Sequence, residues 1–315
     1  MTSVSDAPRK TRTPPPRTRD RLHAALRVGL WWPLVKNTSI TSFNYRVTGL
    51  AAEAAFFALL SLPPLVLGLI GTLGYFRPAL GPAAVADVRS WVIEKSGLLF
   101  TGDTVNGVVV PLVDDVLAGG RADLVSLGFL LSLWSGSRAL FVYVDVISVA
   151  YGLGEVRGIV RTRIMSFGLY IAALGVGLVV IPLFVAGPTI VTSLIPHYDG
   201  LVEVLYWPLA VLVSIGLLTT LYHVSVPVRT RWRRELPGAV LALIIWALCG
   251  FVLRIVLGAS FTPVSIYGSL AAPIAVLLWL YVTALGVLIG ATLNAEADKL
   301  WPEGTTARAR AAHDA

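Results

Sequence analysis

Arg138 is the residue whose chemistry most needs explaining. It lies inside the apolar run Leu124–Val149. A guanidinium stays charged at any physiological pH, and placing one near a bilayer centre costs about 2.5–3.5 kcal/mol on insertion scales, so it must face protein or water. On a helical wheel Ser132, Ser135, Arg138 and Asp145 fall within an arc of about 140°. The rest of the helix is built from residues such as Phe129, Leu130 and Leu133. A polar stripe of this kind can line a cavity that recognises an anionic head group, with Arg138 as the contact. It can equally be a structural pair, in which Asp145 or Glu53 neutralises Arg138 and ties helices together.

Glu53 stands about one turn into the first apolar run, where it can couple protons, hold a cation or pair with a basic neighbour near the interface. Further along the same run, Ser61-Leu62-Pro63-Pro64 is the strongest expected helix break. Each proline removes an intrahelical hydrogen bond and crowds the preceding turn. The carbonyls freed near Ala58–Leu60 then need partners, and such breaks are tolerated where they line a cavity or pack on protein. Pro182, Pro208 and Pro273 are expected to interrupt later runs. The candidate substrate-binding set is therefore Arg138, Asp145, Ser135, Glu53, Pro63 and Pro64.

Other chemistries find little support. The single cysteine, Cys249, excludes an intramolecular disulfide and a thiolate metal cluster. His23, His197, His223 and His313 lie far apart, without HExxH spacing. No Walker sequence, glycine-rich dinucleotide turn or cofactor lysine is visible, so neither a metal nor a cofactor is expected. Phosphodiester hydrolysis needs a general acid and base, usually with carboxylates around two metals. Glu155, Glu235, Glu296 and Asp298 are instead scattered among arginines. No enzyme activity and no nucleic-acid partner are expected. The arginine-dense segment 229–236 reads as a loop held on the cytoplasmic side, or as a phosphate-binding patch.

The elements that must position these residues are membrane spans. Of 315 residues 56% are hydrophobic and 14% charged, against about 25% charged in soluble domains. A soluble fold cannot wet that much apolar surface. Six apolar segments, each near the ~20 residues that a ~30 Å hydrocarbon slab requires, are expected at about Gly49–Tyr75, Leu124–Val149, Ile164–Pro188, Val204–Val224, Pro237–Gly258 and Ala271–Asn294. The fold class is all-α, a polytopic membrane protein with kinked or broken spans. Residues 1–21 read as a disordered basic, proline-rich cytoplasmic tail and 22–46 as an interfacial amphipathic helix. Residues 47–297 form the membrane domain and 298–315 a cytoplasmic tail. Within the domain, 76–123 reads as an external cap of two or three amphipathic helices with an acidic face.

Lysine and arginine collect on cytoplasmic loops. Nineteen of the 25 fall in the N-terminal region up to and including Arg46, in 151–163, in 225–236 or in the C-terminal tail, against five on the opposite side and Arg138 within a span. Both termini are therefore expected in the cytoplasm.

The order of motifs resembles the YihY/BrkB family of bacterial membrane proteins. Its blocks are similar to Ala-Ala-Glu-Ala-Ala-Phe-Phe-Ala-Leu-Leu-Ser-Leu-Pro-Pro at 51–64 and Leu-Trp-Ser-Gly-Ser-Arg-Ala at 133–139. Tyr151-Gly152, Glu155-x-Arg157-Gly158 and Leu236-Pro237-Gly238-Ala239 follow in order. Tyr267-Gly268-Ser269-Leu270, Trp279-Leu280-Tyr281 and Gly290-Ala291-x-Leu293-Asn294-Ala295 complete the set. The resemblance covers about 45–297. It implies a six-helix inner-membrane protein with cytoplasmic termini and no agreed activity. Some members are associated with serum resistance, others with lipopolysaccharide or envelope lipid traffic, and the family has carried a ribonuclease BN label.

The expected function is transport, in the manner of a flippase, of an anionic envelope lipid or amphiphile. A non-transporting scaffold in envelope biogenesis is the alternative. Expected partners are membrane lipids, the anionic substrate and further copies in a homo-oligomer.

Overall fold

The computed structural model describes residues 28–75, 105–117, 122–154, 156–186, 199–260 and 271–313, with short pieces between 86 and 102. The expected tail 1–21, the start of the 22–46 helix and much of 76–123 lie outside the described residues. The helices are α1 Val28–Asn44, α2 Val47–Tyr75, α3 Val110–Leu117, α4 Ala122–Ala150, α5 Ile159–Ala186, α6 Asp199–Ser225, α7 Leu236–Ser260, α8 Ala271–Leu300 and α9 Gly304–His313. Six of them, α2 and α4 to α8, are long and apolar enough to cross a membrane. In hydrocarbon every backbone polar group must find an internal partner, which leaves the helix as the solution for these runs. Hydroxyls obey the same constraint: Ser148, Ser166 and Thr219 donate to carbonyls four residues earlier at 2.7–2.8 Å.

Small residues set the packing. Helices gain little from hydrophobic association in a bilayer, so close backbone approach matters more. Ala51 and Ala54 of α2, Ala284 and Leu288 of α8, and Val142 and Val146 of α4 form one buried cluster. Ile147, Tyr222, Ala239, Ala291 and Ala295 belong to a second, in which α4, α6, α7 and α8 meet. At the crossing of α7 and α8, a Cβ on Gly238 would strike the Gly290 carbonyl, and the reverse also holds. The Tyr222 hydroxyl fills the remaining gap by donating to the Val287 carbonyl at 2.8 Å.

The connections at one end of the bundle are tightly built. Gly152, with φ +70, closes α4, and bonds from Gly152 N to Val149 O and from Leu153 N to Ser148 O complete a Schellman motif. Arg157 then caps α6, donating to the Ser225 and Val226 carbonyls, each at 3.2 Å. These are among the orphan acceptors at a helix C-terminus.

The expected helix breaks are corrected by the structure. Pro63 and Pro64 do not break the first span: α2 runs through both. Ser61 Oγ donates to the Ala58 carbonyl at 2.7 Å, occupying part of the disturbed ladder. The later prolines do not interrupt their spans either: α5 runs through Pro182 and α6 through Pro208, and Pro273 lies in the first turn of α8, where its missing N–H would have no helical partner. At its far end α8 continues to Leu300 before α9 folds back. Arg310 of α9 pairs with Asp298, and Thr305 donates to the Arg229 carbonyl at 2.9 Å.

In the expected cap, α3 packs on α2, and its Asp114 accepts from Arg89 at 2.5 and 2.8 Å. That pairing neutralises part of the anticipated acidic face.

Candidate functional site

Two polar assemblies interrupt the apolar bundle. The first lies where α2, α4 and α5 meet. Arg138 Nη2 donates to Glu53 Oε1 at 2.7 Å, joining α4 to α2. Ser135 is buried and donates to the Phe57 carbonyl at 2.8 Å, a second tie between the same helices. Asp145 is exposed and takes no part in the pair. It follows Arg138 by seven positions on one helix, about 10 Å along the axis, which is too far for an ion pair. Pro63 and Pro64 lie ten and eleven positions beyond Glu53, about 15 Å away, and Pro64 faces Gly128 of α4 instead. Of the six candidates, then, the structure brings together Glu53, Arg138 and Ser135.

It also adds a residue that had counted only as a loop arginine. Arg163, in the first turns of α5, lays its guanidinium back against α4. Its Nη2 donates to the Trp134 carbonyl at 3.4 Å. The Phe141 ring centroid lies 5.0 Å from the Arg138 Cζ and 5.9 Å from the Arg163 Cζ, so one aromatic ring serves two cations. Beside Arg163 a groove of about 380 Å³ opens between Leu130, Leu133 and Trp134 of α4 and Ile164 and Phe167 of α5, with Ser137 at its edge. A Cβ on Gly136 would collide with the Tyr170 ring, so the two groove helices are held in direct contact there.

The second assembly closes the charged end of the bundle. Glu235 is 1% exposed. It accepts from the Tyr151 hydroxyl at 2.7 Å and from Thr230 Oγ1 at 3.2 Å. Asn294 ties in both directions, donating to the Glu235 carbonyl at 3.0 Å and accepting from Gly238 N at 2.7 Å. Burial is the main cause that pushes the Glu235 carboxyl above the usual carboxylate range. Burial, followed by the Glu235 charge, likewise pushes the Tyr151 phenol well up. Asp298 alongside is paired with Arg310 and lies 3.6 Å from Arg234. Glu296 accepts from Thr41 at 2.8 Å and Lys299 at 2.7 Å.

Glu155 lies outside the described residues, while Glu235, Glu296 and Asp298 each answer to their own hydroxyl or cation. Among the described residues no three His, Cys, Asp or Glu side chains gather as a metal ion would require.

Sequence reasoning missed this second assembly as a unit. Its signal was present: Tyr151, the Leu236-Pro237-Gly238 turn and Asn294 all sit in the quoted motif blocks, and the fold brings them to one point.

Six apolar spanning helices, with ion pairs held between them, define a multi-pass α-helical membrane protein. The chain belongs to the family described as virulence factor BrkB, whose model matches residues 43–315. The match therefore extends past 297 to include α9, beyond the reach expected from the motifs. A Bacillus subtilis protein named as ribonuclease-like, YfkH, is 26% identical over 251 residues, covering 78% of this chain and 88% of its own length. A UPF0761 membrane protein of Aliivibrio fischeri is 27% identical over 286 residues, covering 88% of this chain and 86% of its own length. Another from Tolumonas auensis is 32% identical over 162 residues, covering 48% and 51%. No solved structure matches the chain.

Proposed function

We propose that the protein is a transporter of the flippase type, moving an anionic envelope lipid or related amphiphile across a bacterial inner membrane, with its charged end in the cytoplasm. The observation that carries this reading is the Glu53–Arg138 pair. It closes at 2.7 Å between two membrane spans, yet 37% of the Arg138 side chain and 34% of the Glu53 side chain stay open. Attraction between the ions strengthens as the dielectric falls, but sealing them costs desolvation that can exceed the gain, and the open face leaves both charges available to a third group. An open pair on an apolar wall offers a head group a polar foothold while acyl chains remain in lipid. Exposed Asp145 carries the polar track onward toward the charged end. The sidedness rests on the excess of Lys and Arg at that end. No catalytic role is assigned.

The test uses phosphatidylcholine vesicles carrying trace fluorescent phosphatidylglycerol, with dithionite bleaching of the outer leaflet. The wild type should accelerate loss of the protected half. A Glu53→Gln/Arg138→Gln double variant keeps side-chain shape without the charges, and should slow the movement about tenfold for each 1.4 kcal/mol of lost stabilisation. Wild-type protein that moves no anionic probe overturns the reading. A partner that co-purifies stoichiometrically with such inactive protein would turn it toward the membrane scaffold.

A further inference from the structure

We propose that the groove between α4 and α5 binds an anionic phospholipid, with Arg163 as the contact to its phosphate and the apolar walls as the seat of its acyl chains. This deepens the transport reading by naming the phosphate and its partner, and rests on that reading only for the lipid's movement.

Arg163 is short of acceptors. Its Nη1 is buried without any hydrogen-bond partner. Its Nη2 makes the 3.4 Å donation to Trp134 O, long for such a bond, and the same carbonyl already accepts from Ser137 at 2.9 Å. A guanidinium carries five N–H donors in a planar fork suited to phosphate. Among the described residues no carboxylate pairs with Arg163. Glu53 is taken by Arg138, and Asp145 is exposed to the side. Around Phe141 there are therefore two guanidinium groups and one paired carboxylate. An uncompensated cation in an apolar span is costly, and an anion seated in the groove that Arg163 lines reduces that cost.

The walls decide what kind of anion. Leu130 and Ile164 at the groove are 62% and 68% exposed, and Trp134 is 55% exposed, on helices that face the bilayer. The opening is thus sideways into lipid. A free phosphate gains nothing from those walls, whereas a phospholipid satisfies Arg163 with its head and the walls with its chains.

The test is native mass spectrometry of the full-length protein, delipidated in mild detergent and titrated with dioleoyl phosphatidylglycerol. Diacylglycerol and inorganic phosphate run in parallel. Wild type should retain one phosphatidylglycerol per protomer at concentrations where diacylglycerol and phosphate give none. Arg163→Gln should weaken retention about tenfold, the worth of a charge-assisted contact, and Arg163→Lys should restore part of it. Unchanged helical circular dichroism establishes that each variant is folded. Equal retention by Arg163→Gln, equal retention of diacylglycerol, or displacement of the lipid by inorganic phosphate each overturns the site. Protein that binds through Arg163 but moves no lipid upholds the site and overturns the transport reading. Protein that moves lipid while binding ignores Arg163 does the reverse.

Discussion

The Tyr151 hydroxyl donates to Glu235 Oε2 at 2.7 Å across the junction of α4 and the turn that opens α7. The acceptor is nearly sealed from solvent, and the groups that face it from the surrounding elements are Tyr151, Thr230, Asn294, Asp298 and Tyr222, with Arg234 acting on Tyr151.

This pair sets a pH dependence. Burial raises the Glu235 carboxyl above its unfolded value, so between the two values the folded state holds more protons than the unfolded one. Stability then falls as pH rises through that window and levels off above it. Glu235→Gln keeps the acceptor for Tyr151 and removes the titration. Thermal midpoints in detergent should place the variant level with wild type at the acid end and above it at neutral pH. A variant that is less stable at neutral pH would show that the charge itself holds the junction.

The crossing of α7 and α8 tolerates no side chain at Gly238 or Gly290. Gly238→Ala or Gly290→Ala should each cost about 1–3 kcal/mol as the backbones are forced apart. Around Gly216 of α6, by contrast, nothing lies within 4 Å of the place a Cβ would take. Gly216→Ala should therefore be neutral or gain about 0.5–1 kcal/mol from helix propensity. Thermal midpoints of the three variants check the contrast, and equal shifts would refute it.

Arg157 holds the end of α6 through a two-pronged donation to Ser225 and Val226. Lysine cannot reproduce that fork. Arg157→Lys and Arg157→Gln should each lose about 1–3 kcal/mol, and hydrogen exchange should quicken at the last turn of α6 before it does in α8. Uniform loss of protection would point to a global effect instead.

The Glu53–Arg138 pair predicts an order among variants. Arg138→Gln strands an anion and Glu53→Gln strands a cation in a span, whereas the double substitution strands neither. The double variant should therefore be more stable than the worse of the two single ones. Thermal midpoints of the three give the coupling directly, and additive losses would show the pair to be idle.

Much of the fold was legible because hydrophobic length is a local property. The six expected runs correspond in order to α2 and α4 to α8. Arg138 stood out for the same reason, as a charge in an apolar run. Its partner was narrowed to two: Asp145 shares its helix face, yet two turns separate them, and Glu53 wins by lying across the α2–α4 contact. Pro63 and Pro64 promised a break, because local chemistry counts lost hydrogen bonds but not the neighbours, such as α4 at Gly128 against Pro64, that hold α2 helical through both.

By itself the amino-acid sequence determined that this chain crosses a membrane six times, that its charge gathers at one end, and that an arginine sits where it must be answered. Those follow from water's exclusion from the bilayer core, which acts on each segment separately. The tertiary structure alone decided which carboxylate answers Arg138, that Arg163 turns back to an acceptor-poor groove, and that Tyr151, Glu235 and Asn294 meet. Such contacts depend on which helices lie side by side at what depth, and small-residue crossings such as Gly238 against Gly290 set that register between segments far apart in the chain.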